Sequence, residues 1–468
     1  MENIKQLEAC ASELATAAET LARHYRHSAI VGDSDSSPPL PTPGEALRAR
    51  RSIKANITKL QGLINEPEDF LQQLAAQNQL LACLEWLGGF QVLACIPLTG
   101  SVPIKDMADI AGVPEAQLRR VVQTTATAGF LRQPQPGHVA HTTLSALFVT
   151  NPSLLDAGMF LSETAAPAAL QMAAASRRFD HSQRSNESAY NIAFNTPCTF
   201  NSACNQSPRL QRKWQAYLNH GIGGVEANAK GVLMHLDWAS LGHVTVVDVS
   251  ARSTMLATAL ADCYPCLRFI VQMSRPKPGI QQAQPSASGS PTTNWSAGAL
   301  LRTSDFRQPL TSRISVQHRN PGAPQPVHNA AVYILRAPPT SLELPSRAVL
   351  AQISSELKAH VAVLRANSSA TLVLTAHLLP EFGAVDPDVE AGARLRDLSL
   401  AQLANDREIE VFEVMETISG VRDDKGHLVL VNKLCFHNTA TIAFEIQYQE
   451  DTKRHSITPS KHSESLLL

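Results

Sequence analysis

Short apolar segments alternate with helical segments through the second half of this chain. A strand pattern at 244–249 is followed by a helix pattern at 254–262 and a second strand pattern at 267–271. Later strands are expected at 314–317, 331–335 and 371–375, with a helix at 347–364 and a terminal hairpin at 427–448. Because strands that alternate with helices form a parallel sheet covered on both faces, this half is predicted to be an α/β domain with a Rossmann-like sheet.

The remainder of the chain divides at polar, Pro-rich and Ser-rich stretches. With 468 residues, 44% of them hydrophobic, the chain is long and apolar enough for two folded domains and linkers. The first predicted divisions are an amphipathic N-terminal helix (1–31), a Pro/Ser linker (32–44) and a mostly helical winged-helix-like domain (45–175). A flexible surface segment (176–208) separates that domain from the α/β domain (209–450), which contains a disordered insert at 274–299. The chain ends in a tail (451–468).

Residues 2–27 carry an apolar stripe at three- and four-residue spacing, which predicts an amphipathic helix. The stripe consists of Ile4, Leu7, Cys10, Ala11, Leu14, Ala17, Ala18 and Leu21. Such a stripe requires a partner surface, and the proline-rich linker that follows tethers the helix to the next domain.

A basic cluster follows the linker, at Arg48, Arg50, Arg51 and Lys54. It is compatible with a weak nuclear-import signal and with the solvated face of a helix, and the second interpretation is favoured.

Two short helices and a hairpin are predicted between residues 101 and 139, in the order of a winged helix. The second helix offers only Arg119 and Arg120 as basic residues, and the whole chain has a net charge of −1. Direct DNA binding is therefore disfavoured, since a phosphate backbone requires a positive surface. Neither a signal peptide nor an apolar run of eighteen residues is evident, so a membrane association is not expected.

The eight cysteines do not form the pattern of a metal site. A single CxxC motif, at Cys263 and Cys266, has no second pair at a matching spacing. We therefore expect no metal ligands, and no six-cysteine zinc cluster of the DNA-binding type.

Several segments in a consistent order resemble the small-molecule O-methyltransferases of plants and fungi, over residues 75 to 450. The segments are 127–131 with 138–145, Val246-Val-Asp-Val249 with 264–272, and Leu378-Leu-Pro-Glu381 with 394–408. The resemblance implies a helical domain that dimerises, followed by a domain that binds S-adenosylmethionine.

Three positions depart from what the resemblance implies. The glycine-rich turn after the first strand is replaced by Ser250-Ala-Arg-Ser-Thr254, so side chains stand where the cofactor should approach the backbone. Met273 replaces the carboxylate that accepts hydrogen bonds from the ribose. Thr340 stands at the position of the histidine base, and neither Thr340 nor nearby Arg336 is a base at neutral pH. We therefore expect no catalytic residue, no cofactor-binding residue and no bound cofactor.

The chain also resembles the methyltransferase-like transcriptional co-activators of fungal polyketide gene clusters, of the aflatoxin-cluster type. The N-terminal helix around Leu7, the linker, the altered turn and the segment 395–405 carry this resemblance. It implies a nuclear protein, with some present in the cytoplasm, that binds a Zn2Cys6-type transcription factor and performs no methyl transfer. Two alternatives remain: a working O-methyltransferase of a phenolic polyketide, and a pseudoenzyme that dimerises with an active methyltransferase.

Overall fold

The computed structural model describes residues 2–29, 43–222, 231–274 and 313–451. Its main sheet has seven strands in the order β6-β5-β4-β7-β8-β10-β9. Strands β4 to β8 are parallel, whereas β10 runs antiparallel to both β8 and β9. The strands are β4 (Thr245–Ala251), β5 (Arg268–Met273), β6 (Ile314–His318), β7 (Val332–Arg336), β8 (Thr371–His377), β9 (Gly426–Leu434) and β10 (Thr441–Glu450).

Successive residues of a strand pack into two different hydrophobic cores, one on each face of the sheet. Val246 packs with the helix Met255–Cys263 on one face, and Val247 packs with the helices Ser346–Ala366 and Val411–Ser419 on the other. Side chains of a strand alternate between its faces, so a strand buried on both faces is apolar at almost every position. The α/β sheet predicted from the sequence is confirmed, with strand boundaries within two residues of those expected.

The N-terminal half is helical, with a small sheet of three strands in the order β1-β3-β2. Its strands are β1 (Val102–Pro103), β2 (Leu131–Arg132) and β3 (His138–His141). Its helices are α1 (Glu2–Ala29), α2 (Pro43–Ile64), α3 (Pro67–Gly89), α4 (Val92–Cys95), α5 (Ile104–Ala111), α6 (Glu115–Thr127), α7 (Thr143–Thr150), α8 (Pro152–Phe160) with a π-helical turn (Leu161–Ala165), α9 (Ala166–Ala169), α10 (Met172–Phe179), α11 (Ala189–Ala193), α12 (Phe200–Gln206) and α13 (Pro208–His220). The helices of the α/β half are α14 (Met255–Cys263), α15 (Ser346–Ala366), α16 (Pro387–Ala404) and α17 (Val411–Ser419).

The segment 138–145 joins β3 to α7 through its own side chains. The Thr142 hydroxyl accepts a hydrogen bond from the Ser145 backbone N–H at 3.2 Å and so caps α7. The buried His141 ring contacts Ser145 Oγ at 2.9 Å and the Leu93 carbonyl at 3.2 Å. These polar contacts explain why a histidine, a threonine and a serine occur together here.

Helices α1 and α2 form a hairpin. Part of the apolar stripe of α1 lies against α2, so that Cys10 and Ala17 are buried on one helix and Ala46 and Ala49 on the other. Ile4, Ala11 and Ala18 of the stripe remain exposed. Pro43 and Gly44, which the sequence assigned to the linker, begin α2, because proline is well suited to the first turn of a helix.

The segment 176–208 is not the flexible excursion that its polar composition predicts. It contains α11 and α12, and Tyr190 and Phe200 are buried against Phe160 and Trp214. The prediction was wrong because a few large aromatic side chains, rather than average composition, decide whether a segment packs.

The remaining predicted boundaries fall on parts of the chain that are not described. Most of the linker, the predicted insert at 274–299 except its first residue, and the tail except Asp451 lie outside the described residues. Within the described ranges no single helix is both long and apolar enough to cross a membrane, whereas the bent pair Thr143–Thr150 and Pro152–Ala169 meets that test on length and composition alone.

Candidate functional site

The last residues of β4 and the turn that follows them, together 250–254, lie at the carboxyl edge of the parallel sheet, where α/β domains bind their ligands. Ser250 adopts a left-handed backbone conformation with φ of 54°, and the register with β5 shifts between Asp248 and Ala251. A non-glycine residue in this region costs about 1–2 kcal/mol. The turn thus keeps a backbone shape suited to glycine while carrying a serine.

A buried ion pair lies directly before this turn. Asp248 has no exposed surface, and Arg336 at the end of neighbouring β7 donates from Nη2 to its two carboxylate oxygens at 2.9 and 3.1 Å. Burial raises the pKa of Asp248 to about 6, although the Arg336 guanidinium opposes the rise. The carboxylate is thereby committed to a contact within the protein.

Met273 ends β5 beside the turn, in register with Ala251 on one side and His318 on the other. Its thioether is at best a weak hydrogen-bond acceptor. This position therefore lacks the two strong acceptor oxygens that a ribose diol requires.

Thr340 is buried beside a second ion pair. It is 2% exposed, and its carbonyl oxygen accepts a hydrogen bond of 2.7 Å from Arg396 Nη2. Arg396 also pairs with the buried Glu408, whose pKa burial raises and Arg396 lowers in part. Thr340 is thus buried beside an ion pair and has almost no surface for contact with a substrate.

A histidine that the sequence analysis did not single out lies at the same edge of the sheet. His377 is the last residue of β8, and its Nδ1 is buried with no hydrogen-bond partner among the described residues. Burial, with a smaller effect of the Arg396 guanidinium, lowers the pKa of His377 to about 4, so the ring is neutral at pH 7. The sequence could have identified His377 as a candidate site residue, because it lies two residues after the predicted strand at 371–375.

His377 borders a cavity of about 180 Å³. Ile222, Val389, Gly392, Ala393 and Ala440 provide its apolar lining. The polar lining comes from His377, Arg51, Asp388, Asn438 and Thr439. Elements distant in sequence, including α2 of the N-terminal hairpin, therefore meet at this cavity.

The described ranges contain no group of three or more His, Cys, Asp or Glu side chains that could hold a metal ion. Cys263 and Cys266 are exposed between α14 and β5, at the amino edge of the sheet. They lie at the opposite edge from the turn after β4.

The chain is similar to known proteins over nearly its full length. Residues 4–65, which contain the α1–α2 hairpin, match the family model described as the N-terminal domain of the trypacidin cluster transcriptional coactivator tpcD. The chain is 46% identical to the monodictyphenone cluster transcriptional coactivator mdpA of Emericella nidulans, over 96% of this chain and 99% of that protein. It is 42% identical to the aflatoxin cluster transcriptional coactivator aflS of Aspergillus parasiticus, over 96% and 98%.

The fold is that of the S-adenosylmethionine-dependent methyltransferases. The structure of LepI in complex with S-adenosylmethionine superposes with a TM-score of 0.56, over 94% of this chain and 100% of that one, at 16% identity. At the carboxyl edge of this sheet, β5 ends in Met273, and the Asp248 carboxylate of β4 is paired with Arg336.

Proposed function

Because the chain belongs to the family of transcriptional coactivators of fungal secondary-metabolite gene clusters, we propose that it acts by binding the pathway's Zn2Cys6 DNA-binding activator and performs no methyl transfer. The observation that carries the proposal is the match of the coactivator N-terminal domain to residues 4–65, because these residues form a distinct helical hairpin. A nuclear location and a polyketide gene cluster are parts of the same proposal.

The hairpin is the element that we assign to the activator. It lies before the methyltransferase-like part of the chain, and its two helices bury their small residues against each other. Since the middle of the α1 stripe, at Cys10 and Ala17, is buried in the hairpin, the activator is expected to contact the assembled hairpin rather than these stripe residues.

A matched pair of substitutions tests this assignment. Ala17 is buried between α1 and α2, whereas the adjacent Ala18 is exposed. Ala17→Asp introduces a carboxylate into the hairpin interface, and Ala18→Asp introduces the same group, at the same helix-propensity cost, in water. We expect Ala17→Asp to abolish co-precipitation with the activator and reporter transcription, and Ala18→Asp to retain both. Equal retention by the two variants would remove the hairpin from the proposal.

Three features of the carboxyl edge support the absence of methyl transfer. Asp248 is paired with Arg336, Met273 stands where the resemblance implies an acid, and Thr340 is buried beside the Arg396–Glu408 pair. Each touches a separate requirement of catalysis, namely cofactor approach, ribose binding and proton removal. Together they favour a pseudoenzyme over the working O-methyltransferase of a phenolic polyketide.

Calorimetric titration of the full chain with S-adenosylmethionine tests this second part, with an active methyltransferase of the same fold as positive control. We expect no heat of binding at concentrations that saturate the control. One-site binding of S-adenosylmethionine would overturn the proposal that the chain performs no methyl transfer, and methylation assays would then follow.

A homodimer is the assembly that the N-terminal half favours. Large apolar side chains of α2 and α3 are more than 40% exposed, namely Leu47, Ile57, Ile64, Phe70, Leu71 and Leu74. Contiguous exposed apolar side chains commonly mark protein interfaces. Light scattering after size exclusion should give twice the chain mass of 50.6 kDa, and a monomer would contradict the homodimer.

A further inference from the structure

Helix α2 carries an exposed strip of side chains, the α2 strip, beside the face that it buries in the hairpin. The strip residues follow one another at spacings of three and four, so they lie on one side of the helix along most of its length. All six are exposed: Leu47, Arg50, Lys54, Ile57, Gln61 and Ile64. The same spacing defines the a and d positions of a coiled coil, so the α2 strip has the pattern of a surface that packs against another helix.

Three aliphatic anchors, Leu47, Ile57 and Ile64, project from the α2 strip. They are 51%, 43% and 62% exposed. At 1.5 Å per residue, the first and last anchors lie roughly 25 Å apart along the helix axis. An occupant that covers all three must therefore be elongated, and a helix of about five turns has this length and can present aliphatic side chains at the same spacing.

The α2 strip is also positively charged. Helix α2 contains five basic residues and one acidic residue, for a net charge of +4 in a chain whose total net charge is −1. Arg50 and Lys54 lie within the strip, between the first and second anchors. Neither side chain forms a hydrogen bond or an ion pair with another described residue. Both charges are therefore available to the carboxylates of an occupant.

The combination of charge and aliphatic anchors distinguishes between possible occupants. A phosphate backbone would neutralise Arg50 and Lys54 but would leave the three anchors in water. A second copy of the chain, paired through the same strip, would bring the basic residues of both helices together, and like charges repel each other. An amphipathic helix with carboxylates beside an aliphatic stripe satisfies the charges and the anchors together.

We propose that the α2 strip binds an acidic amphipathic helix of the activator, with its aliphatic side chains against the three anchors and its carboxylates at Arg50 and Lys54. The proposal rests on the coactivator function proposed above and adds the chemistry of the partner. The exposed apolar side chains of α3 then remain for the contact between two copies of the chain.

A charge-reversed double variant of the full chain tests the proposal. We expect Arg50→Glu/Lys54→Glu to weaken binding of the purified activator by about tenfold or more, because glutamates in the strip repel an acidic helix. The matched control is Arg48→Glu/Lys59→Glu, which changes the same charges at exposed positions on the opposite side of α2. At about 0.15 M salt, where charges are screened beyond about 8 Å, the control should bind as wild type does.

The neutral variant Arg50→Gln/Lys54→Gln removes the two charges without reversing them. We expect it to weaken activator binding by a smaller factor than the glutamate variant. It takes the place of the glutamate variant in the comparison if the latter does not fold, which far-ultraviolet circular dichroism shows.

Designed peptides test the chemistry of the occupant directly. The first is an amphipathic helix of about 21 residues with leucines at three- and four-residue spacing and glutamates beside them, and the second has lysines in place of the glutamates. We expect the glutamate peptide to displace the activator from the wild-type chain and the lysine peptide to leave it bound. A glutamate peptide that fails to compete, or a lysine peptide that competes equally well, would overturn the proposal.

The outcomes separate this inference from the proposed coactivator function. If the wild-type chain does not bind the activator, the proposed function fails and this inference fails with it. If wild type binds and the two double variants bind equally well, only the assignment to the α2 strip is wrong. A changed molecular mass of Arg50→Glu/Lys54→Glu in light scattering would assign the strip to a second copy, and equal competition by duplex DNA would assign it to a phosphate backbone. Either result would overturn the inference.

Discussion

Arg336 reaches from the end of β7 to the neighbouring strand β4, where its Nη2 lies 2.9 and 3.1 Å from the two carboxylate oxygens of Asp248. The carboxylate is fully buried, while the arginine side chain remains 28% exposed. The pair therefore neutralises a buried charge at the carboxyl edge of the sheet, which is the edge at which α/β domains bind their ligands. It also makes the stability of the domain sensitive to pH.

The first prediction concerns Asp248→Asn. Burial raises the pKa of Asp248 to about 6 from an ordinary value of 3.8, so folding favours the protonated form. The contribution of this group is full below pH 4 and is lost as pH rises toward 6, by about 3 kcal/mol in total. We expect wild type to lose that stability relative to Asp248→Asn between pH 4 and 6. Urea unfolding monitored by tryptophan fluorescence measures it, and parallel pH profiles would contradict the assignment.

The second prediction concerns Arg336→Gln, which leaves the buried carboxylate without a cation. We expect the free energy of unfolding to fall by roughly 3 kcal/mol at pH 7.5, since removing one partner of a buried pair leaves an uncompensated charge. The loss should be smaller at pH 5, where the Asp248 carboxyl is mostly protonated. Arg347→Gln, at an exposed helix position, is the control and should change stability by less than about 0.5 kcal/mol. A similar loss in both variants, or a loss independent of pH, would count against the pair.

The third prediction concerns His377. Burial lowers its pKa to about 4 from 6.5, so its contribution to stability is present above pH 6.5 and is lost as pH falls toward 4. The loss amounts to about 3 kcal/mol. We expect His377→Leu to be less sensitive to acid over this range than wild type, and the exposed His181→Leu to behave as wild type. Chemical denaturation at pH 4 to 7 distinguishes these outcomes. If the free energy of unfolding depends on pH in the same way in His377→Leu and in wild type, the His377 ring is exposed to water and the prediction is wrong.

The fourth prediction concerns the segment 176–208. Phe200 is fully buried among Phe160, Tyr190 and Trp214, whereas Phe194 in the same segment is 41% exposed. Phe200→Ala should cost about 3–5 kcal/mol because it leaves a cavity. Phe194→Ala should cost much less. Thermal unfolding of the two variants provides the comparison. Equally small losses of stability in both would indicate that this segment is a flexible surface segment after all.

The strands and helices of the α/β half were predictable because each one leaves a pattern in a short stretch of the sequence. The valines of β4 and β5 form short apolar runs, and a strand buried on both faces requires such runs whatever surrounds it. The same strand patterns located Ser250 and Met273 at the carboxyl ends of β4 and β5, the edge at which α/β sheets bind ligands.

The segment 176–208 and the partner of α1 were less predictable, because both depend on contacts between distant residues. Average polarity concealed that Tyr190 and Phe200 join Phe160 and Trp214. The stripe containing Cys10 and Ala17 indicated a buried face, but nothing in that stripe indicated that α2 covers it.

The sequence by itself determined the order of strands and helices in the α/β half and the residue types at positions 250–254, 273 and 340. Local periodicity and residue chemistry are sufficient for those conclusions. Only the tertiary structure paired Asp248 with Arg336, buried Thr340 beside the Arg396–Glu408 pair, and brought Arg51 to the same cavity as His377. Such relationships depend on how the elements pack in three dimensions, because burial and the pairing of charges arise between residues that are far apart along the chain.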